Sequence, residues 1–324
     1  MKTLHPNLFL LAFFLVILSN PTFTQVDWSQ VDFKEAYNRK FKLSGGAVKS
    51  LKENPTFVNG YKVGQATLMT GSNTSAKSAV SSEISLGGMD NEKYQEMVNE
   101  LYSDFERELK QLGLNLTDGK DVIESKEAQK QLNKAKKDDV IGPIGNQTIM
   151  DGKKKISEGA MPGYGAWAVT ADASFYPENV YVYTDDSHVQ VGHFMKVASN
   201  TMTNLLSVKY YVSFASFDQN RGYKDISVET KPVLAVAVNV QLTPANLSKA
   251  ELTYAKMPIW GSADWSEGMT KGKDNKNTAE VLGLARSAEY QVTANPEKYI
   301  EEVRSIISSL QKDIVEGIKE QLEN

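Results

Sequence analysis

Two short constellations hold the residue types from which a reactive site could be built. Asp185, Asp186 and His188 stand together, and His193 follows five residues on. Carboxylates and imidazoles bind metals, so the run can be drawn as a metal site with His188 and His193 as nitrogen donors. On a helix, however, a five-residue offset turns the second ring by about 140° from the first. The two histidines of a zinc-binding helix are four apart and face the same way. The rings here diverge, and Asp185 and Asp186 suit a helix N-terminus, where the macrodipole favours negative charge. No metal is expected. The second constellation is Ala263-Asp264-Trp265-Ser266-Glu267. Glycoside hydrolases set paired carboxylates across a cleft, and an indole can stack on a sugar. The competing reading, which we favour, is a surface loop whose tryptophan enters the core. The catalytic candidates are therefore Asp185, Asp186, His188, Asp264 and Glu267. None sits in a diagnostic motif; a non-catalytic protein is the stronger expectation, with a hydrolase using these carboxylates as the alternative.

Other chemistries leave less trace. No Gly-x-Ser-x-Gly elbow occurs, which is the readable sign of many serine hydrolases. Gly87-Gly88 precedes a helix start and could hold an anion. No phosphate-binding Gly-x-x-x-x-Gly-Lys-Ser/Thr loop is present, and a tight turn explains both glycines. No cofactor is expected. Cysteine is absent, which removes disulfides, thiolate metal sites and thiol nucleophiles. Forty acidic against 36 basic side chains, and no long basic run with interleaved aromatics, point away from nucleic acid.

The elements that would position these residues can be read from period and caps. Phe33, Tyr37 and Phe41 suggest a short helix closed by Gly45-Gly46, with another turn from Ala47 to Lys52. Residues 60–88 read as a β-hairpin. Tyr61, Val63, Gln65, Thr67 and Met69 alternate with Lys62, Gly64, Ala66 and Leu68, and Gly71-Ser72-Asn73 supplies turn chemistry. Asp90 caps a helix whose stripe is Tyr94, Met97, Val98, Leu101, Phe105, Leu109 and Leu112. Met89 and Tyr94 form its staple and Gly113 its stop. Leu114 to Ile123 should be a short strand, Ser125 to Lys137 a polar helix, and 138–165 a loop region.

Strands are expected over Ala166 to Ala173 and Asn179 to Tyr183, then a helix over Val189 to Leu206. Val208 to Phe217 reads as a strand whose Tyr210, Tyr211, Phe214 and Phe217 make an aromatic stripe, turning at Asn220-Arg221-Gly222. Val233 to Val240 fits a strand buried on both faces, with Pro232 at its edge. Leu242 to Ala279 is turn-rich. A terminal helix is capped by Asn295, with Pro296 at N1. Val303, Ile306, Ile307, Leu310, Ile314 and Ile318 form its buried stripe. Packing on its own sheet is the default reading, and docking on a second copy is the alternative. The fold class is α/β or α+β: a mixed, largely antiparallel sheet packed by three to four helices, ending in a long helix.

The amino terminus says where such a protein works. Lys2, the unbroken apolar run from Leu8 to Leu18, and Thr22-Phe23-Thr24 before Gln25 have the three-part layout of a secretory signal peptide. The run is too short to span a bilayer, which takes roughly 18 or more apolar residues. We therefore expect a signal peptide over 1–24, a polar lead-in over 25–59 and one domain over 60–324. A subdivision near 138–165 stays open. The expected location is periplasmic or secreted, with no stable membrane span once the leader is removed. An envelope protein or a second copy is the expected partner.

One resemblance follows from Tyr61 to Met69, Leu101-Tyr102-Ser103-Asp104-Phe105, Leu109, Leu112-Gly113 and the strand expected from Leu114. Their order, with the later strands 208–217 and 233–240, resembles bacterial envelope proteins of the CsgG/LpoB-like group. Typical members are lipoproteins, and this chain has no cysteine to carry the lipid. The resemblance implies a role in envelope binding or assembly, with an oligomeric secretion component using the 61–86 hairpin as its sharper form. It transfers no catalytic residue. The hairpin's Ser, Lys and Gln content departs from the apolar band of a lipid-facing strand.

Overall fold

The computed structural model describes residues 42–74, 79–132, 142–143, 149–151, 167–182, 191–221, 226–251, 259–272 and 285–324. Three strands dominate: β2 (Thr56–Thr74), β9 (Asn204–Arg221) and β10 (Ile226–Thr243). At about 3.3 Å per residue each runs roughly 60 Å. They belong to a curled ten-stranded sheet with β3 (Ala79–Gly87), β14 (Ala285–Ala294), β13 (Ser266–Lys271) and β12 (Ile259–Trp260) in the order β12-β10-β9-β2-β3-β14-β13. β7 (Trp167–Phe175) lies on the other edge of β2 with β6 (Ile149–Asp151) beyond it, and β4 (Leu116–Thr117) pairs the start of β2. Six pairings are antiparallel and three parallel, so the sheet is mixed and largely antiparallel as its hairpins suggest. Two short ladders complete it: β1 (Lys42–Leu43) with β11 (Ala250–Glu251), and β5 (Gly142–Pro143) with β8 (Tyr181–Val182).

Six helices are described: α1 (Gly45–Glu53), α2 (Asn91–Gln111), α3 (Lys120–Glu124), α4 (Lys126–Leu132), α5 (Val191–Thr201) and α6 (Pro296–Glu323). The two long ones are where local signals place them. The Asp90 side chain accepts from the Lys93 N–H, and Gly113, at φ +82°, supplies the left-handed residue that ends α2. The Asn295 side chain accepts from the Lys298 N–H ahead of Pro296. Their apolar stripes lie against one face of the sheet, Tyr94, Met97, Leu101 and Phe105 from α2 and Val303, Ile306, Ile307 and Leu310 from α6. A second cluster holds Phe57 and Leu205 of the strands beneath Val122, Ile123, Ala128, Val197 and Ala198 of α3, α4 and α5. Successive strand residues point to opposite faces, so the sheet is covered on both sides at this end.

Several boundaries differ from the sequence reading, each for a physical reason. Gly71-Ser72-Asn73 is not a turn but part of β2, and the connection falls in 75–78, outside the described residues. A Cβ on Gly71 would stand 2.3 Å from the Phe217 ring, so the missing side chain seats an aromatic from β9. Beside it Ser82 and Thr230 share a buried 2.5 Å hydrogen bond, and together these contacts stack the β2–β3 hairpin on the β9–β10 hairpin. Gly45 and Gly46 open α1 instead of stopping a helix, because Ser44 caps it from the Ala47 N–H. Only Leu116–Thr117 of the expected 114–123 strand forms, and α3 follows.

The helix expected over 189–206 ends at Thr201. Asn204 is fully buried and starts β9; its Oδ1 accepts from Ser50 Oγ (2.7 Å) and from the Ala245 N–H (3.0 Å). Asn220 and Arg221 are still in β9. Pro232 lies inside β10, not at its edge, at the register shift between Pro232 and Ala235 where the ladder is already interrupted. β13 and β14 occupy residues that carried no strand expectation. The expected helix around Phe33, Tyr37 and Phe41 lies outside the described residues.

Candidate functional site

Of the sequence-nominated residues, the structure describes Asp264, Glu267 and the backbone of His193. Asp185, Asp186 and His188 lie outside the described residues, and of His193 only its backbone position in α5 is described. Asp264 and Glu267 are both exposed. Asp264 sits in the turn before β13, and Glu267 accepts a 3.3 Å hydrogen bond from Asn295 Nδ2. Trp265 between them is fully buried. Its Nε1–H donates to the Ser262 carbonyl (2.9 Å), and its ring meets Tyr299 edge-on at 5.0 Å. The indole therefore anchors the turn to α6 and offers no stacking surface for a sugar. Glu302 of α6 holds the same turn, accepting from the Ser262 N–H and from Ser262 Oγ (2.6 Å). Among the described residues no group of three or more His, Asp and Glu side chains is placed to hold a metal.

Gly87-Gly88 is a packing device. Gly88 takes φ +79°, and a Cβ there would lie 2.6 Å from the Ala294 carbonyl oxygen. The aromatic stripe divides between uses. Tyr210 and Phe214 are fully buried in the core, Phe217 sits on Gly71, and Tyr211 is half-buried on the opposite face from Tyr210.

Under α2 and α6 the core contains two polar knots. Gln311 Nε2 donates to Tyr61 Oη (2.6 Å) and to the Leu101 carbonyl (3.1 Å). Tyr94 Oη donates to Gln65 Oε1 (3.0 Å). The Tyr210 and Tyr299 hydroxyls face Gln311 and Gln65 without completing a hydrogen bond. Burial pushes the phenols of Tyr61, Tyr94, Tyr102, Tyr210 and Tyr299 well above their ordinary value, since no solvent is at hand to stabilise a phenolate. Tyr102 is held up further by the Glu106 carboxylate, which accepts a 2.9 Å hydrogen bond from its hydroxyl. These are cross-links between helix and sheet. An open groove of about 290 Å³ runs between the first turns of α2 and α6, lined by Lys93, Glu96, Glu297, Ile300, Glu301 and Arg304. Its cations are answered by Glu297 (3.2 Å from Lys93) and by Glu100, which pairs Arg304.

The strongest candidate is the opposite face of the central strands. Register places Lys62 of β2 beside Lys209 of β9, and Asn239 of β10 beside Lys209. One step along, Gly64 pairs Tyr211 on one side and Ser174 of β7 on the other. One step back, Gly60 pairs Ser207, which pairs Gln241. Paired residues share a face, so two lysines, a tyrosine, two side-chain amides and two serines surround a strip floored by Gly60 and Gly64. Lys62 is only 5% and Lys209 only 9% exposed. A Cβ on Gly64 would meet Lys62 Cε and Tyr211 Cδ1, each at 3.6 Å, so the lysine stem and the ring converge above the glycine.

Register pairs Asp151 of β6 with Asp172 of β7, and Asp172 with Ala66 of β2. Ala66 is four residues, or about 13 Å, along β2 from Lys62. Sequence reasoning missed the site because Lys62 and Lys209 fall on the polar phase of two alternating strands, the usual mark of a solvated face. Only the parallel pairing of β2 with β9 brings them together. No protein-family model, no curated protein and no solved structure matches the chain.

Proposed function

We propose that the chain is an exported, non-catalytic binding protein of a bacterial envelope. The leader layout of residues 1–24 and the absence of cysteine support export by a route that needs no disulfides. One observation carries the binding role: a polar, buried sheet face with two lysines side by side. Burying a charge is costly unless an opposite charge or hydrogen bonds compensate. Both lysines also make contacts within the chain, so it is the gathering of polar side chains on one buried face, and not an unmet charge, that supports the reading. The protein should be recovered from the periplasm or medium with Gln25 as its first residue. Immobilised full-length mature protein should retain an envelope component that the Lys62→Gln and Lys209→Gln variants release. Recovery of the intact chain from cytosol, still beginning at Met1, refutes export. Equal retention by folded variants refutes the assigned face.

A second reading, an oligomeric secretion component, draws on the length of the two hairpins. Strands of 18 and 19 residues exceed what a bilayer crossing needs, about 9–11. Their outward positions speak for the first reading. Glu83, Asp218, Glu229 and Lys231 are exposed, and Lys231 pairs both Asp218 (3.0 Å) and Glu229 (3.3 Å) where lipid would demand an apolar band. A ring-shaped particle in detergent would reverse the preference.

A further inference from the structure

We infer that the rim where β9 begins and β10 ends rests on a bilayer surface rich in anionic lipid, a role separate from the Lys62–Lys209 face. Four large hydrophobic side chains are exposed among the described residues, and Met195, Met202 and Leu247 of these belong to this rim. Met202 (55% exposed) and Leu247 (45%) are also held at φ +52° and +59°, in the left-handed region. That region costs a residue with a side chain energy that glycine avoids. Both are places where glycine is the usual choice. Met202 closes α5 in a Schellman motif: its N–H donates to the Ser199 carbonyl (3.4 Å), and the Thr203 N–H to the Ala198 carbonyl (3.1 Å). Leu247 ends a turn in which its N–H donates to the Pro244 carbonyl (3.0 Å). The chain thus accepts strain and apolar exposure together, at two loops. Strain held in place by its surroundings gathers at functional sites. Asn204 does the holding here. Its Oδ1 accepts from the Ala245 N–H and from Ser50 Oγ of α1, so both loops and α1 meet at one buried joint. Met202 and Leu247 each stand two residues, at most about 7 Å of chain, from that joint. Met195 precedes Met202 by seven residues and shares its side by helical spacing.

Area and charge select the occupant. A protein partner takes about 20–30 residues a side, and three half-exposed side chains set among Ser199, Asn246 and Ser248 fall far short. A bilayer interface accepts single apolar side chains in proportion to the area they remove from water, with no complementary surface. The segments of the rim, 45–54, 191–205 and 244–250, carry Lys49, Lys52, Lys196 and Lys249 against one carboxylate, Glu53, in a chain of net charge −4. All four lysines are exposed. Lys49 pairs Glu53 and Lys249 has contacts of its own, so the bias is one of number and not of unmet charge. The end of α6, where Gln321 meets Leu43, adds Glu320 and a Lys319–Glu323 pair, which reduces the bias without reversing it. Lysine stems lie along apolar surface with their ammonium groups at headgroup level. The test is sedimentation of full-length mature protein with phosphatidylglycerol–phosphatidylethanolamine vesicles, with phosphatidylcholine vesicles as control. Binding to the anionic vesicles is expected, weakened by salt. Met202→Gly and Leu247→Gly should each weaken it about tenfold, and Lys52→Gln about fivefold. Both glycine variants should keep or raise the midpoint in urea, because glycine relieves the left-handed strain. Lys62→Gln and Lys209→Gln should leave vesicle binding unchanged, so this inference and the binding face can fail separately. No sedimentation of the unmodified protein overturns the inference, and so does sedimentation that survives the double glycine variant. A midpoint lowered by both glycine substitutions assigns the side chains to the fold and overturns it too. Dimerisation lost in the double variant, without vesicle binding, gives the rim to a second copy instead.

Discussion

Tyr61, Val63, Tyr210 and Val212 lie beneath α2 and α6, whereas Lys62, Gly64, Lys209 and Tyr211, each one position away on the same two strands, lie on the other face. Along these strands alternation does not separate core from solvent. It separates two interiors, one close-packed with aromatic and aliphatic side chains and one polar. A one-residue slip of β2 would exchange them. Because β2 and β9 run parallel in register, like faces like on both sides, Tyr61 beside Val208 and Lys62 beside Lys209. The first face accounts for stability. The second gathers the polar side chains on which the proposed binding role rests.

Alkali gives the largest test of the contrast. Five tyrosines on the helix-covered side have phenols raised by burial. The folded protein keeps these protons, whereas the unfolded chain releases them above about pH 10. There the unfolded state binds fewer protons, so stability is intact below pH 10 and falls as pH rises further. Each group contributes about 1.4 kcal/mol per pH unit, or about 7 kcal/mol together. Unfolding should therefore be abrupt above pH 10. Tyrosinate absorbance and circular dichroism should change together. Gradual phenolate formation in a still-folded protein would show that the knots are open to water.

Next in size is Gln311→Ala, which removes the donor to Tyr61 Oη and Leu101 O from a position 3% exposed. Lost bonds and an unfilled volume should cost about 2–3 kcal/mol in urea denaturation. Gly71→Val should cost about 1–3 kcal/mol by overpacking against Phe217. Hydrogen exchange should rise in both stacked hairpins, at 68–74 and 213–218, and leave α2 unchanged. Even loss of protection across the chain would mean that the hairpins do not part as a unit.

What could be read beforehand follows the range of the forces involved. Asp90, Gly113, Asn295 and Pro296 act within one turn of their own helices, and they mark the ends of α2 and α6 correctly. Gly71 misleads because its conformation answers a ring from β9, not its neighbours in sequence. The end of α5 misleads similarly, since Asn204 is fixed by Ser50 and Ala245 from distant segments. The mixed sheet could be inferred from its alternating runs, yet its order could not. The partnership of Lys62 with Lys209 depends entirely on that order. Asp264 and Glu267 drew notice by residue type, and the burial of Trp265 shows that type was serving the core.

Lys209→Met bears on the comparison with the smallest expected shift. Methionine preserves most of the side-chain volume, so packing should change little. Without ligand, the substitution removes a desolvated charge together with the contact that Lys209 makes within the chain. Exchanging a whole buried ion pair for apolar groups is often neutral or stabilising, whereas removing one partner of such a pair costs about 3–5 kcal/mol. We expect the ligand-free midpoint in urea to correspond to no change or a gain of up to about 1 kcal/mol, with an unchanged slope. A loss of about 3 kcal/mol or more would mean that Lys209 neutralises a buried internal charge. The polar face would then be held together by the chain itself, and the two sides of the sheet would differ in composition but not in purpose.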